Sequence, residues 1–157
     1  MSLRDLSPDD LEAITELDAI CFPAGTAFPR ETFAECLDSP DCQCFGAEQA
    51  GKIIAFAVLF FSGPRAAQII TIDVHPDYRR QGLATLLMAE IEKRAKKEGV
   101  VRIVLQVAPD NDPALALYQK WGFAIKSVLR DYYGPRKNAY LMDKTFESPE
   151  GRRRLFS

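Results

Sequence analysis

Residues 66–99 constrain the fold more than any other stretch, because they combine a strand pattern, a short loop and a helix pattern. The β-branched run from Ile69 to Val74 ends before a proline, which predicts a strand covered on both faces. From Leu83 to Ala95 apolar residues recur at three- and four-residue steps with charged residues between them, and Gly99 follows. This spacing predicts an amphipathic helix that ends at the glycine.

The loop between the strand and the helix has the sequence Arg79-Arg80-Gln81-Gly82-Leu83-Ala84. Gly82 and Ala84 have almost no side chain, so a ligand can approach the backbone there. The first amides of a helix have no acceptor within the helix. The loop therefore predicts an anion site, suited above all to a pyrophosphate.

Composition limits the classes of protein that this chain can belong to. It has 157 residues, of which 47% are hydrophobic and 27% charged, with a formal net charge of -2. We expect one α/β domain over residues 1–146 and a tail over residues 147–157, whose Arg152–Arg154 triplet is solvated. The charge gives no reason to expect a nucleic-acid partner, and the longest apolar run has the length of a strand, so we expect a cytoplasmic protein without membrane partners.

The remaining patterns alternate between strands and helices. Apolar alternation and turn residues predict strands over 2–6, 41–48, 52–62, 100–107, 123–129 and 138–146, helices over 8–20, 30–38 and 112–121, and a loop from Arg130 to Lys137. Cysteines occur at positions 21, 36, 42 and 44, in a spacing that matches neither a zinc site nor a redox motif. We expect reduced, partly buried thiols and no metal.

Two motifs together resemble the GNAT superfamily of N-acetyltransferases. The first is V-x-P-x-Y-R-R-x-G-x-A, which ends at Ala84, and the second is N-x-x-A-x-x-L-Y-x-x-x-G-F, which begins at Asn111. The resemblance implies an α/β GNAT fold with a mixed sheet of six to seven strands and about four helices, splayed between the two central parallel strands. It also implies acetyl-CoA as co-substrate.

The resemblance assigns functional roles to individual residues. It implies that the backbone near Ile72 and Val74 holds the pantetheine, that Asn111 contacts coenzyme A and that Tyr118 donates a proton to the leaving thiolate. Capping of a helix remains open for Asn111, and a place in the core remains open for Tyr118. The implied cofactor residues are Ile72, Val74, Arg79, Arg80, Gln81, Gly82, Leu83, Ala84, Thr85, Asn111 and Tyr118.

Two further segments are similar to the ribosomal-protein alanine and protein N-terminal acetyltransferase (RimI-like) group. They are Arg130-Asp131-Tyr132-Tyr133-Gly134, followed by Asn138-Ala139-Tyr140-Leu141-Met142, and Cys21-Phe22-Pro23 at the end of the first helix. The similarity implies an acceptor groove lined by Phe22, Pro23, Tyr132 and Tyr133. For the two Phe-Pro pairs, a role as core plugs remains open.

The chain departs from these relatives where a general base is expected. Gln106 occupies the strand position that often holds Glu or His, and a glutamine cannot accept a proton at any useful pH. A water chain past Gln106 and Gln68 is one hypothesis for proton removal, and Asp73 and His75 are other candidates for which a structural role is also open.

Three functions are compatible with these patterns. The first is acetyl-CoA-dependent acetylation of the N-terminal α-amine of a protein or peptide by direct attack, with Tyr118 and Gln106 at the catalytic centre. The second is the same chemistry on a small amine, such as a polyamine, an amino acid or an antibiotic. The third is a non-catalytic coenzyme A-binding module. The protein is expected to be a monomer or homodimer.

Overall fold

The computed structural model describes residues 2–146, and the expected tail 147–157 with its Arg152–Arg154 triplet lies outside the described residues. Within that range it contains seven strands and four α-helices, as expected for the α/β class. The elements are β1 (Leu3–Asp5), α1 (Leu11–Cys21), α2 (Arg30–Asp38), β2 (Cys42–Gln49), β3 (Lys52–Gly63), β4 (Ala66–Val74), α3 (Leu83–Lys97), β5 (Arg102–Val107), α4 (Asp112–Lys120), β6 (Ala124–Gly134) and β7 (Lys137–Thr145).

The strands form one mixed sheet in the order β1-β2-β3-β4-β5-β7-β6. All neighbouring strands are antiparallel except β4 and β5, which are parallel. β4 and β5 pair only from Ala66 to Gln68, opposite Arg102 to Val104, although both strands continue beyond these residues. The expected splay between the two central parallel strands is therefore confirmed, and it leaves a gap between residues 69–74 and the end of β5.

A bulge in β4 decides which face each of its side chains occupies. Leu59 of β3 pairs with Ile69, but its neighbour Val58 pairs with Thr71, so Ile70 is an extra residue. Such an insertion shifts the two-residue alternation by one position. As a result Thr71 and Asp73 share a face with Val58 and Phe56, while Ile72 and Val74 face the opposite side.

The helices cover the two faces of the sheet in pairs. α3 lies against one face through residues at three- and four-residue steps, including Leu87, Ile91 and Ala95, and α4 adds Tyr118 to the same core. On the other face, Ile14 of α1 and Phe33 of α2 are fully buried in a second core. Both faces of the central strands are covered, in agreement with the β-branched sequence of β4.

The expected loop from Arg130 to Lys137 is wrong for most of its length. β6 continues to Gly134 and β7 begins at Lys137, so the two strands form a long hairpin with a short turn. A register shift between Leu129 and Gly134, with positive φ at Asp131, lets the hairpin bend. Aromatic residues favour strands, which explains why the two tyrosines at 132 and 133 extend β6.

Residues 2–146 contain neither a candidate membrane-spanning helix nor a candidate metal cluster. No helix there is long and apolar enough to span a membrane. No group of three or more His, Cys, Asp or Glu side chains in this part of the chain is arranged to hold a metal ion. The four cysteines are free, with Cys44 buried and the others half-buried.

Candidate active site

The gap between β4 and β5 exposes backbone groups of β4. His75 donates its N–H to the carbonyl of Ile54 in β3 at 2.8 Å. Because successive residues of a strand direct their backbone groups to opposite edges, those of Ile72 and Val74 point away from β3, towards the gap. The Val74 carbonyl accordingly accepts from side chains outside the sheet, Arg79 Nε at 3.2 Å and Cys21 Sγ at 3.4 Å.

The loop before α3 forms an open cradle of backbone amides. Gly82 is the N-cap of α3 with φ of 80°, and Arg80 also has a positive φ of 63°. Among residues 2–146 no side chain caps this helix end, and its first backbone bond, Leu86 N–H to the Gly82 carbonyl, leaves the N–H groups of Leu83, Ala84 and Thr85 without an acceptor in the helix. A methyl group on Gly82 would meet no heavy atom within 4 Å, so the cradle is accessible from outside.

The exposed side chains of this loop do not all point in the same direction. Arg80 and Gln81 are exposed beside the cradle. Arg79 instead turns back towards the end of β4, where its Nε donates to the Val74 carbonyl at 3.2 Å. The left-handed conformation of Arg80 costs about 1–2 kcal/mol for a residue other than glycine, and such strain is typical of ligand-binding loops.

The second motif places Asn111 at the start of α4 and Tyr118 within it. Asn111 is the N-cap of α4, because its Oδ1 accepts the Ala114 N–H at 3.3 Å, so its capping role is confirmed. Tyr118 is 8% exposed, and its ring packs edge-to-face on Phe123 with centroids 5.9 Å apart. No residue among 2–146 hydrogen-bonds the Tyr118 hydroxyl, although the side chain lies in the core. Burial raises the pKa of Tyr118, and the charges of Asp73 and Tyr133 raise it further, so the phenol stays protonated at neutral pH.

Gln106 lies on β5 at the point where the two central strands separate. Its Oε1 accepts a hydrogen bond at 2.7 Å from Nε2 of Gln68, the last paired residue of β4, and Gln106 itself lies two positions beyond Val104, the last paired residue of β5. Both side chains are half-buried. An amide pair at this position supplies hydrogen-bond donors and acceptors but no group that titrates.

Two walls approach each other on the side of the gap nearest α1. One is the segment from Phe22 to Phe28 between α1 and α2, here called the acceptor loop, in which Phe22 is half-buried and Pro23 exposed. The other is the end of the β6–β7 hairpin. A methyl group on Gly25 of the acceptor loop would lie 3.9 Å from Lys137 Nζ of the hairpin, so the two walls nearly touch.

The paired tyrosines line the hairpin wall. Tyr132 is 48% exposed and its ring packs edge-to-face on that of half-buried Tyr133, with centroids 5.0 Å apart. Burial, followed by the charge of Tyr132, raises the pKa of Tyr133 to about 12. Burial and the charge of Asp73 are the larger causes of the raised Tyr118 pKa, and the charge of Tyr133 adds to them. The hairpin wall that carries the tyrosine pair faces the acceptor loop that carries Phe22.

Asp18 and Asp73 form a buried carboxyl pair that the sequence analysis did not predict. Asp18 is 0% exposed and Asp73 1% exposed. Each uses one oxygen: Asp18 Oδ2 accepts the Phe28 N–H at 2.7 Å, and Asp73 Oδ1 accepts the Thr71 hydroxyl at 2.5 Å. In the sequence, the pair is indicated only by two aspartates that interrupt apolar patterns. The bulge that turns Asp73 towards α1 cannot be predicted from the local sequence.

Cys21 lies beside this pair but is unsuited to act as a nucleophile. Burial raises the pKa of its thiol to about 11, and the Asp73 charge contributes in the same direction. The thiolate is the reactive form of cysteine, so the thiol is inert at neutral pH. The geometry therefore agrees with direct transfer between two bound substrates.

Comparisons with known proteins point to one kind of chemistry. The Acetyltransferase (GNAT) family profile matches residues 11–123. The chain is 34% identical to N-alpha-acetyltransferase RimI of Mycobacterium tuberculosis over 136 residues, covering 85% of this chain and 84% of that protein. It is 29% identical to an N-alpha-acetyltransferase of Saccharolobus solfataricus, covering 90% of each. The crystal structure of the ribosomal-protein-S18-alanine N-acetyltransferase from Escherichia coli superposes with a TM-score of 0.83 at 28% identity, covering 94% of this chain and 96% of that one.

Proposed function

Since the chain belongs to the GNAT family of acetyltransferases, we propose that it transfers the acetyl group of acetyl-CoA to the N-terminal α-amine of a protein or peptide. The observation that carries this proposal is the gap between β4 and β5, with an amide cradle at the start of α3 and two facing walls formed by the acceptor loop and the hairpin. The relatives named as N-alpha-acetyltransferases support the choice of acceptor. We place the reaction in the cytoplasm, where acetyl-CoA and new protein N-termini occur together.

The cradle fits the pyrophosphate of coenzyme A. The free N–H groups of Leu83, Ala84 and Thr85 converge at the positive end of the α3 dipole, and the open space above Gly82 admits a phosphate. Arg80 and Gln81 are exposed beside the cradle, where they would add contacts from their side chains. Arg79 would act mainly by holding the loop on Val74.

The pantetheine and the thioester would follow β4 through the gap. Backbone groups of Ile72 and Val74 face this space, and an N–H group there would donate to the thioester oxygen as negative charge develops on it. Asn111 uses Oδ1 for its helix cap, so its Nδ2 would be the atom that contacts the coenzyme A chain. Capping and ligand binding are therefore compatible roles.

Tyr118 would stabilise the departing sulfur. The amine nitrogen forms a bond to the acetyl carbon, the carbon–sulfur bond breaks, and the proton lost by the nitrogen balances the one that the thiolate gains. Because the pKa of Tyr118 is raised, its phenol keeps its own proton and donates a hydrogen bond to the departing thiolate, whose acid has a pKa near 8.5.

Removing the proton from the amine requires little help if the acceptor is an α-amine. An α-amino group has a pKa of about 7.8, so freeing it at pH 7 costs about 1 kcal/mol, whereas a lysine near 10.4 costs about 4.6 kcal/mol. A centre with Gln106 in place of an acidic residue therefore suits an N-terminus better than a lysine side chain. A proton route through water past the Gln68–Gln106 pair remains our prediction.

The aromatic walls would bind the first residues of the acceptor chain. Phe22 and Pro23 lie on the acceptor loop, and Tyr132 and Tyr133 lie on the hairpin that approaches it at Gly25. Large, rigid rings on both sides would bind an extended peptide with little loss of side-chain entropy.

Thiol release from acetyl-CoA tests this function. Purified protein is assayed at pH 7 and pH 9 with short peptides whose N-termini are free or blocked, alongside polyamines, amino acids and aminoglycosides. We expect turnover that requires a free α-amine and varies with the first two residues of the peptide. Turnover with small amines alone would contradict the peptide acceptor, and binding of acetyl-CoA without any turnover would indicate a non-catalytic module.

A further inference from the structure

The buried pair Asp18–Asp73 leaves two oxygen atoms without a partner. Asp18 Oδ1 and Asp73 Oδ2 are both enclosed, and neither has a hydrogen-bond partner among the described residues. The two side chains face each other between α1 and β4, because Cys21, one turn after Asp18, donates to the carbonyl of Val74, the neighbour of Asp73, at 3.4 Å, and each carboxyl group shifts the pKa of the other. Two ionised carboxylates are both acceptors and cannot bond, so the contact requires a proton on one of them.

Asp18 also connects both ends of the acceptor loop. Its backbone carbonyl accepts the Phe22 N–H at 2.9 Å, and its carboxyl Oδ2 accepts the Phe28 N–H at 2.7 Å. Asp73 belongs to β4, one residue before the Val74 carbonyl that borders the gap. The contact between the two carboxyl groups therefore joins the acceptor loop to the strand along which the thioester is expected to lie.

The groups around the pair do not supply a second charge that would replace the proton. Within residues 2–146, Arg79 is the cation whose charge lowers the pKa of Asp73, and it is exposed at the end of β4. Cys21 on α1 lies beside the pair, and Tyr118 on α4 feels the charge of Asp73; burial raises the pKa of each, so both are neutral. Thr71 contributes one hydroxyl, and Phe33 and Phe56 are apolar. Desolvation raises the pKa of both carboxyl groups, and their mutual interaction adds to the rise for Asp73.

We propose that Asp18 and Asp73 share one proton, and that this proton fastens the acceptor loop to β4 in the position that binds the acceptor. Both aspartates are positioning residues, because neither touches a reacting atom. Loss of the proton at alkaline pH puts two negative charges side by side in the core, which releases the loop. Acceptor binding then weakens, while the chemical step at Tyr118 is affected less.

The sign of the effect on stability follows from the raised pKa values. The folded protein binds the shared proton more tightly than the unfolded chain, whose aspartates titrate near 3.8. The stabilisation is therefore fully present below that pH and is lost as the pH rises through the raised pKa of the pair. Asp18→Asn replaces the proton permanently, because its amide donates to Asp73 Oδ2 while its oxygen still accepts the Phe28 N–H.

The direct test detects the proton shared by Asp18 and Asp73 without an assay of enzyme activity. Carbon-13 NMR of the aspartate carboxyl groups, recorded from pH 3 to pH 10, is expected to show two coupled resonances that titrate far above the other aspartates, and one of them is absent in Asp18→Asn. Urea unfolding at several pH values is expected to show a decline in stability towards alkaline pH that is reduced in Asp18→Asn. Glu16→Gln, which removes an exposed carboxylate from the same helix, is the matched control and should behave as the wild type.

The kinetic test rests on the proposed function, and uses a short Ala-initiated peptide or whichever amine the acetyl-CoA assay identifies. We compare KM for the acceptor between pH 6 and pH 10 as a ratio of wild type to Asp18→Asn, which cancels the titration of the amine. The ratio should rise at least tenfold at alkaline pH with kcat changed less than threefold, and Asp18→Ala should raise KM at every pH. Aspartates that all titrate near 4 would overturn the shared proton whatever the acceptor is, and a flat KM ratio would overturn its role in the loop.

Discussion

A methyl group added at Gly82 tests the amide cradle, and the chain provides a matched control for it. Gly82 begins α3 with φ of 80°, and Gly99 follows its end with φ of 73°. At both positions an added methyl group would meet no heavy atom within 4 Å, so neither Gly82→Ala nor Gly99→Ala introduces a clash in the free protein. The two substitutions differ in their distance from the cradle and share the same backbone strain.

The expected magnitudes follow from this comparison. Positive φ in a residue other than glycine costs about 1–2 kcal/mol, so each variant should lose that much stability. For a domain of this size the loss lowers Tm by about 2–8 °C. The methyl group of Gly82→Ala also occupies the space where a phosphate would approach the amides. Losing one hydrogen bond to a charged group costs about 1.5–3 kcal/mol, which weakens acetyl-CoA binding about 10- to 150-fold.

Isothermal titration calorimetry with acetyl-CoA measures the difference. We expect Gly82→Ala to bind much more weakly than Gly99→Ala, which should retain nearly wild-type affinity, although thermal unfolding shows the same loss in both. S-acetylpantetheine, which lacks the pyrophosphate, should be used equally well by the two variants. Equal affinities of both variants for acetyl-CoA would refute the assignment of the pyrophosphate to the amides at the start of α3.

Three other changes address the chemistry. Tyr118→Phe keeps the packing on Phe123 and removes a hydroxyl that no described residue hydrogen-bonds, so kcat should fall about 10- to 150-fold with unfolding unchanged. Tyr140→Phe, at a partly buried position of the same core, is the control and should leave kcat within a factor of two. Cys21→Ser should retain activity in the thiol-release assay, because a thiol with its pKa raised to about 11 is not a nucleophile at neutral pH, and a loss of more than tenfold would argue for a covalent intermediate. Gln106→Glu should add an acidic limb to the pH–rate profile, and an unchanged profile would mean that this position does not meet the proton.

The parts of the site that were predictable from sequence depend on short segments. The strand, loop and helix of residues 66–99 and the cap at Asn111 each follow from patterns within about 30 residues, and the structure has them where they were expected. The expected loop at 130–137 failed because the length of a hairpin depends on pairing across strands. The Asp18–Asp73 pair was missed because one extra residue, Ile70, reverses the faces of the residues after it, and register is a property of two strands together.

The charges at the centre bear on the choice of acceptor. Gln106 adds no charge, and under our proposal Asp18 and Asp73 carry a single negative charge between them, so little in the site lowers the cost of deprotonating an amine. Which amine reacts then depends on the pKa of the amine itself. From the ordinary values, the neutral fraction of an α-amine exceeds that of a lysine about 340-fold at pH 7 but only about 25-fold at pH 9. The absence of an acidic residue at position 106 is therefore compatible with catalysis and favours N-terminal acceptors near neutral pH.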